Sequence, residues 1–379
     1  MDPTELASLL SQCEVLRLGA GCDLLRPGET NESIYILLKG ELFVYLAAEA
    51  TSGQGISIQP GQCIGEFSAI DRLPVSALVR CESDAELLHL SGPFFWQQLV
   101  ILPGVSLNIL RGLTIRARTI NQLALQSLRE RLELDHLREE LDLARQLQAS
   151  MLPLRHPLFP GRSDLDVAGR VEPAATVGGD FFDTFLTADD RLFLCIGDVS
   201  GHGIGAALLM ARTIGLIRSL AMTATGPEAV LEQLNAFLCE GNDTCLFVTL
   251  FCGYLNPNRG TLTYSNAGHL PPLLIQDGEC TELPLPRGPL AGIISQASYR
   301  SETVQLNRSD LLFAYTDGLS EAEDHEGSAF GIDPCRDLLI QRSQAPLPTI
   351  LDGVRDALTS FCGSGALEDD CTLLLLRLP

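Results

Sequence analysis

The sequence predicts a multidomain α+β protein with a small β domain first, a helical segment second and a mixed domain last. Residues 16–105 consist of short strand-like runs separated by glycine turns, and residues 107–151 follow a helical pattern. Strand-like runs then mix with helical patterns, and 379 residues are enough for two or three cores. The expected domains are residues 1–112, 113–153 and 154–379.

Short apolar runs with turn signals between them characterise the first domain. Gly40, near the end of the run at residues 33–41, marks a turn before the run at 42–45, and the pair Pro27-Gly28 marks an earlier turn. Alternating apolar and polar positions at this spacing predict a small antiparallel barrel or jelly roll.

The segment at residues 61–79 resembles the phosphate-binding cassette of cyclic-nucleotide-binding domains. Gly65-Glu66 matches the pair that opens the cassette, and the resemblance implies that Glu66 would bind a ribose hydroxyl. The cassette arginine that neutralises the cyclic phosphate has no match, because Val75 occupies its position after Pro74. A buried phosphate without a guanidinium partner is poorly compensated.

Three interpretations of the first domain therefore stay open: a cyclic-nucleotide sensor, a sensor for another ligand, and a dimerisation platform without a ligand. Arg72 is close enough in sequence to replace the missing arginine. The candidate ligand-binding residues are Gly65, Glu66, Arg72 and Ser76.

The second domain is expected to be a long helix that ends at Pro153, since no Pro or Gly follows Gly112 before that point. A two-stranded coiled coil, and hence a homodimer, is predicted for this segment, because four residues follow the 3-4 spacing of such a coil: Leu134, Leu137, Leu141 and Ala144. A helix that packs on its own domains is the alternative, because an offset stripe is formed by Leu125, Leu128 and Leu132.

Aspartates follow the strand-like runs of the last domain. Residues 191–196 are a nearly unbroken apolar run shortly before Asp198, and residues 311–315 precede Asp317. Further acidic clusters lie at 180–183 and 369–370. Gathered carboxylates raise each other's pKa unless a cation lies between them. Such hard oxygen ligands favour magnesium, manganese or calcium over zinc.

Five motifs resemble, in family order, the metal-dependent serine/threonine protein phosphatases (the PPM family), in the bacterial branch typified by SpoIIE and RsbU proteins. They are Gly178-Gly179-Asp180, the GDVSGHG run at 197–203, Asn266-Ala267-Gly268-His269, Thr316-Asp317-Gly318 and Asp369-Asp370. The resemblance covers about residues 144–379 and implies an α/β/β/α sandwich. Strands are expected near residues 165–170, 180–186, 192–196, 247–255, 261–266, 272–276 and 310–315, and helices near 206–223, 226–238 and 349–361.

The resemblance also implies a reaction and a ligand set. Two Mn²⁺ or Mg²⁺ ions would activate a water molecule that hydrolyses a phosphoserine or phosphothreonine ester without a covalent intermediate. Asp198 would bridge the ions, with the carbonyl of Val199 completing one shell. Asp317 and Asp369 would hold the other ion, and Asp180 would act at the near edge, as a ligand or through water.

Four further residues lie in or near these motifs. Asp370, next to Asp369, could exchange roles with it. Asp183 is expected either to support a metal ligand without binding an ion itself or to be structural. His202 is a candidate proton donor to the leaving serine oxygen, because an imidazole titrates near neutrality, but the glycines around it equally allow a conformational role. His269 is expected to pack its turn below the site.

The resemblance therefore implies a regulated phosphatase whose substrate is a phosphorylated signalling protein, such as a STAS-type anti-sigma-factor antagonist. The first domain would control it through the helix. The alternative is a non-enzymatic adaptor that binds a phosphoprotein through a degenerate fold, which the intact aspartates disfavour. A cyclic-nucleotide-responsive transcription factor is disfavoured too, because no helix-turn-helix pattern follows the barrel.

Composition narrows the partners further. A net charge of −22 argues against nucleic acid. No apolar run approaches the ~20 residues of a membrane span, and the N-terminus lacks the basic start of a secretory signal, which predicts a cytoplasmic protein without membrane contact. The 12 cysteines are scattered without a Cys-x-x-Cys pair and are expected to be reduced thiols.

Overall fold

The computed structural model describes residues 3–45, 55–363 and 367–379, with side chains from residue 7 onward. The chain divides into two compact units, Met1–Glu133 and Leu134–Pro379. The division falls inside the longest helix.

The N-terminal unit contains two four-stranded antiparallel sheets. Its strands are β1 (Glu14–Leu18), β2 (Asp23–Leu25), β3 (Ile34–Lys39), β4 (Leu42–Tyr45), β5 (Ile56–Ile58), β6 (Cys63–Ile64), β7 (Leu78–Cys81) and β8 (Ala85–Leu90). The sheet orders are β1-β8-β3-β6 and β2-β7-β4-β5. Leu37, Leu42 and Leu87, from both sheets, are fully buried in one apolar cluster, which confirms the predicted small barrel.

Short helices flank these sheets. They are α1 (Pro3–Leu10), α2 (Glu66–Asp71), α3 (Gly92–Phe94) and a π-helical segment (Phe95–Leu99). Helix α2 begins directly after Gly65, whose φ of 81° is in the left-handed region. A side chain at Gly65 would also clash with the Ser33 carbonyl, because an added Cβ would lie 2.8 Å from that oxygen. The start of the cassette therefore requires glycine.

Helix α4 (Pro103–Met151) is 49 residues long and has no buried residue. It begins four residues before the predicted start, at a proline, which is well tolerated in a first helical turn. More than half of the side-chain surface is exposed at Leu128 and Leu132 on one predicted stripe and at Leu134 and Leu137 on the other, whereas Leu141 is partly buried. The long helix is confirmed, and its pairing with a second copy stays a prediction.

The C-terminal unit contains two five-stranded sheets in which every pair of neighbouring strands is antiparallel. Its strands are β9 (Asp166–Glu172), β10 (Phe181–Leu186), β11 (Leu192–Val199), β12 (Val248–Asn256), β13 (Thr261–Ala267), β14 (Leu273–Gln276), β15 (Glu279–Glu282), β16 (Ser301–Gln305), β17 (Leu311–Tyr315) and β18 (Cys371–Arg377). The sheet orders are β10-β11-β12-β13-β16 and β15-β14-β17-β18-β9.

Three buried apolar clusters define the layers of this unit. Its helices are α5 (Ile204–Ala221), α6 (Pro227–Cys239), α7 (Asp317–Ser320), α8 (Asp333–Arg342) and α9 (Leu347–Cys362). One cluster joins α5 and α6 to the first sheet, a second lies between the sheets, and a third joins α8 and α9 to the second sheet. The predicted α/β/β/α sandwich is confirmed.

By length and composition alone, α5 could cross a membrane, and it is the one helix among the described residues that could. The expectation that no apolar run approaches the length of a membrane span is therefore wrong for this helix. Its buried residues, including Met210, Ile214 and Ile217, pack in the core beneath the first sheet, as in the core helix of a folded domain.

Candidate functional site

Strand register brings Asp180 and Asp198 together at one end of the first sheet. Strands β10 and β11 are antiparallel, with Phe181 opposite Gly197. Asp180 and Asp198 follow as the next facing pair. Gly197 has no room for a side chain, because an added Cβ would lie 2.7 Å from the Phe181 ring. The glycine before Asp198 is therefore required by packing.

The second sheet delivers its own aspartates to an equivalent strand end. Strands β17 and β18 are antiparallel, with Tyr315 opposite Leu373, so Asp317 follows one strand just where Asp369 and Asp370 precede the other. A Cβ added to Gly318 would lie 2.0 Å from the carbonyl oxygen of Asp370. Glycine after Asp317 thus permits the close approach of the two segments.

Thr316 connects the two sheets at this place. Its hydroxyl donates to Oδ2 of Asp180 at 2.6 Å and accepts the backbone N–H of Thr372 at 2.8 Å. One side chain therefore ties the aspartate of the first sheet to both strands of the second. In the motif Thr316-Asp317-Gly318, the sequence predicted a role only for the aspartate. The structure shows that the threonine bridges the two sheets.

Asp370 is engaged by backbone groups. Its Oδ1 accepts the N–H of Ala174 at 2.8 Å, and its Oδ2 accepts the N–H of Gly179 at 2.7 Å. A Cβ added to Gly178 would lie 2.1 Å from Oδ2, which explains the glycine at that position. Asp370 thus clamps the segment that carries Asp180, whereas the side chain of Asp369 is exposed. This difference disfavours the expected exchange of roles between Asp369 and Asp370.

Like charge and burial raise the pKa of three of these aspartates. Asp180 is 2% exposed, and burial followed by the charge of Asp198 raises its pKa well above the usual range. Burial, then Asp317 and Asp369, raise the pKa of Asp198 to about 7. The pKa of Asp317 is raised by burial and then by Asp369. Among the described residues, no cationic side chain has a main effect that would lower these pKa values again.

These carboxylates fit a hard divalent cation, because they are oxygen donors whose charge is not compensated by the chain. By themselves they do not form a finished site: within residues 3–45, 55–363 and 367–379, no three His, Cys, Asp or Glu side chains are grouped so that they could hold an ion. Backbone carbonyls and water would have to complete the coordination. The carbonyl of Val199 is near the segment before Asp180, since a Cβ on Gly179 would lie 2.7 Å from that oxygen.

The remaining candidate side chains lie outside this group. Asp183 is fully buried, and both of its oxygens accept hydrogen bonds from Arg218, at 2.7 and 3.0 Å. His269 is buried, its Nδ1 pairs with the Thr249 hydroxyl at 2.9 Å, and burial lowers its pKa to about 4. His202 is exposed on the loop between β11 and α5. No contact in the described structure ties His202 to the aspartates.

Gln148, in the last turn of α4, is a contact that sequence reasoning missed. Its Nε2 donates to the carbonyl of Gly178 at 2.6 Å, and its Oε1 accepts the N–H of the same residue at 3.2 Å. The end of the helix is thereby hydrogen-bonded to the segment that carries Asp180. A glutamine among other polar helix residues gives no signal of such a role.

In the N-terminal unit, Gly65, Glu66 and Ser76 line one cavity of about 470 Å³. Arg72 does not line it, and its predicted role there is corrected. Arg72 ends α2 in a left-handed conformation, with φ of 62°, and is exposed. The arginine at the cavity is Arg116 of α4, which donates hydrogen bonds to Glu66 and to the carbonyl of Cys63.

Comparison with protein families agrees with this division of the chain. The family model described as stage II sporulation protein E (SpoIIE) matches residues 188–379, about half of the chain. The model of the cyclic nucleotide-binding domain matches residues 15–100. Both resemblances inferred from the motifs are thereby confirmed.

Two curated relatives are similar over more than half of the chain. Protein IcfG of Synechocystis sp. is 28% identical over 268 residues, which are 62% of this chain and 41% of IcfG. The phosphoserine phosphatase RsbU of Bacillus subtilis is 26% identical over 242 residues, which are 64% of this chain and 70% of RsbU. The chain thus spans less than half the length of IcfG.

Among solved structures, the PP2C domain of SiaA from Pseudomonas aeruginosa is similar with a TM-score of 0.57 and 24% identity. The similarity covers 65% of this chain and 98% of the SiaA domain. At this identity the match concerns the fold, and it agrees with the two stacked sheets described above. Sandwich, ordered motifs and family model lead to one conclusion: the chain belongs to the SpoIIE family.

Proposed function

We propose that the C-terminal unit is a metal-dependent phosphatase that hydrolyses phosphoserine or phosphothreonine esters of a protein. One observation carries the proposal: two separate sheets bring aspartates to a common place, where they share charge that no cation of the described chain compensates. A protein that gathers carboxylates in this way needs a cation there. The name of RsbU, a phosphoserine phosphatase, supports the type of reaction.

In this proposal, Asp198, Asp317 and Asp369 hold Mn²⁺ or Mg²⁺, together with the carbonyl of Val199. Two such ions, when bound, would neutralise the phosphate and lower the pKa of an attacking water molecule. Asp180 acts at the near edge, with one oxygen already fixed by Thr316.

The neighbouring residues hold these ligands in place. Asp370 fixes the segment of Ala174 to Gly179 through two backbone N–H groups. Thr316 fixes Asp180 relative to strand β18. We propose these two as positioning residues. His202 remains a candidate proton donor to the leaving serine oxygen, since its exposed loop leaves it accessible to a bound phosphoprotein.

The proposed substrate is a phosphorylated signalling protein, such as a STAS-type anti-sigma-factor antagonist, and the N-terminal unit is proposed to regulate its hydrolysis. A homodimer through α4 is part of the proposal, because most leucines of that helix are exposed. A cytoplasmic location is proposed as well, because all 12 cysteines are free thiols, which the cytosol keeps reduced.

The test is hydrolysis of p-nitrophenyl phosphate and of a phosphoserine peptide by the full chain, with and without Mn²⁺. Asp198→Asn removes one charge from the group at nearly constant volume, and we expect a loss in kcat of about 100- to 1,000-fold, as for removal of other electrostatic catalytic groups. Asp277→Asn is the matched control, because Asp277 lies exposed in the hairpin between β14 and β15. It should retain full activity.

The hydrolysis assay, combined with a binding measurement, separates the phosphatase from the adaptor. Isothermal titration calorimetry with Mn²⁺ measures whether ions bind when no hydrolysis occurs. Binding of ions and phosphopeptide without turnover, in the full chain and in residues 154–379 alone, would favour the adaptor and contradict the proposal. Turnover that appears only in the shorter chain would indicate that the N-terminal part inhibits the enzyme.

A further inference from the structure

The cavity of the N-terminal unit is separate from the proposed hydrolytic site and has walls of its own. Strands, helix α2 and residues 115–120 of helix α4 surround its volume of about 470 Å³. Sites for small molecules typically have about 300–1,000 Å³. The space is therefore sufficient for a small-molecule ligand.

The walls are mainly apolar. Leu25, Ile58 and Ile64 line the cavity and are buried in the core of the barrel. Phe67 and Leu73 also line it, yet they are 49% and 63% exposed. Large apolar side chains that stay exposed around a concave site favour a ligand that covers them with apolar surface.

The cation at the cavity is already paired. Arg116 is the one cation among its described lining residues, and its guanidinium donates both to Oε1 of Glu66 and to the carbonyl of Cys63. Residues 46–54, which the structure does not describe, contain no Lys or Arg. Asp71 lines the cavity as well, so an anionic ligand would meet acidic side chains without an available counter-charge.

One polar atom of Glu66, a residue that lines the cavity, lacks a partner. Glu66 is 1% exposed, and its second oxygen, Oε2, is buried without a hydrogen bond from the described residues. Burial raises the pKa of Glu66, and Arg116 only partly opposes this effect. A buried acceptor without a hydrogen bond is unfavourable, so a donor from a ligand would stabilise it.

We propose that this cavity binds an uncharged, largely apolar small molecule that donates one hydrogen bond, from a hydroxyl or N–H group, to Oε2 of Glu66. The inference differs from cyclic-nucleotide binding, because a cyclic phosphate carries a charge that this cavity cannot compensate. It does not depend on the hydrolytic activity. A bound ligand would also contact Ile115 and Thr119, and thus the part of α4 that carries Arg116.

The experiment uses N-phenyl-1-naphthylamine, an uncharged apolar probe with one N–H group whose fluorescence rises in apolar surroundings. The full chain should bind it saturably. We expect 1-decanol to displace it at concentrations at least tenfold lower than decanoate, which has the same chain and a negative charge. Cyclic AMP and cyclic GMP should not displace it at millimolar concentration. Displacement by either cyclic nucleotide at a concentration below that of 1-decanol would overturn the proposal.

A pair of variants on α4 tests the location. Thr119 lines the cavity and Thr114 does not, although both are exposed and both hydroxyls bond to a carbonyl four residues earlier. Thr119→Trp should weaken probe binding at least tenfold, whereas Thr114→Trp should leave it unchanged. Equal affinities in the two variants would place the probe elsewhere and contradict the proposal.

A charge variant tests the hydrogen-bond acceptor. Glu66→Ala leaves the guanidinium of Arg116 without its carboxylate, so decanoate should now displace the probe at lower concentration than 1-decanol. Urea unfolding followed by the fluorescence of Trp96, the single tryptophan of the chain, verifies that the N-terminal unit is folded. An unchanged preference for 1-decanol in the folded variant would contradict the role of Glu66.

Discussion

In the N-terminal unit a buried carboxylate, Glu66, has an arginine beside it. In the C-terminal unit, Asp180, Asp198 and Asp317 influence one another's charge, and no cationic side chain of the described residues compensates them. Both arrangements remove carboxylates from water, which is costly unless the charge is paired. The first pairs the charge within the chain. The second leaves it for a partner from outside.

The two regions therefore call for different ligands, although each belongs to a domain type associated with phosphate. In the barrel, the pair of Glu66 and Arg116 uses up the charge that a phosphate would need. In the sandwich, the carboxylates are not compensated, so we expect them to bind cations. A phosphate can then bind to those cations. We therefore expect charge compensation within the chain, more than the family of the domain, to determine which ligand each site binds.

Removal of Arg116 should have the largest effect on stability, because it leaves the buried carboxylate of Glu66 without a cation, as the aspartates of the C-terminal unit are. Arg116→Met leaves Glu66 buried and unpaired, and we expect the N-terminal unit to lose about 2–4 kcal/mol of unfolding free energy at pH 7. Trp96 fluorescence in urea measures this unit specifically. The loss should shrink towards pH 5, since a carboxyl whose folded pKa is raised costs less as it becomes protonated.

Two further variants control this measurement. Arg118→Met changes an exposed arginine on the same helix and should cost less than about 0.5 kcal/mol. The double variant Glu66→Gln with Arg116→Met removes both charges and should recover most of the loss. If the double variant is as unstable as Arg116→Met alone, packing of the arginine side chain, and not charge, accounts for the loss.

The family resemblance implied the sandwich, and most of its inner strands were predicted from sequence because they contain apolar runs. Runs such as residues 192–196 and 311–315 were expected as strands and lie within β11 and β17. The strands that it missed, β15 and β16, are mostly exposed and polar, so they lack the apolar run on which the prediction depended. Helix α8 was missed too; only Cys335 and Leu339 of its ten residues are buried.

The candidate site followed the same rule. Aspartates at strand ends were found, because an apolar run indicates where a strand ends. The contacts of Arg116 with Glu66 and of Gln148 with Gly178 were not found. They join residues 50 and 30 positions apart, and a polar side chain in a helical pattern is typical of a solvent-facing position. Only the packed structure brings such residues together.

Asp198→Asn should change stability in the opposite direction to Arg116→Met. Without metal, the folded protein holds the proton of Asp198 at a pKa of about 7, above its usual value, so this group destabilises the C-terminal unit as the pH rises from about 4 to 7. We expect Asp198→Asn to stabilise the metal-free unit by about 1–3 kcal/mol at pH 7, and by less at pH 5.

Scanning calorimetry in EDTA measures this difference, with Asp277→Asn as the control. Added Mn²⁺ should stabilise the unaltered protein, because the ion binds the folded state only, and should stabilise Asp198→Asn much less. A variant that is less stable than the unaltered protein in EDTA would show that the aspartates do not repel one another, and the contrast between the two units would fail.

Gln148→Ala should have the smallest effect, since it removes neutral hydrogen bonds and no charge. Each such bond is worth about 0.5–1.5 kcal/mol, so kcat should fall about three- to tenfold while KM for p-nitrophenyl phosphate stays nearly constant. Gln146→Ala, exposed on the same helix, should retain full activity. Titration of Mn²⁺ distinguishes the cause. A loosened Gly178 segment would displace Asp180 and weaken Mn²⁺ binding, whereas equal Mn²⁺ affinity and equal kcat in both variants would show that the end of α4 does not position the metal ligands.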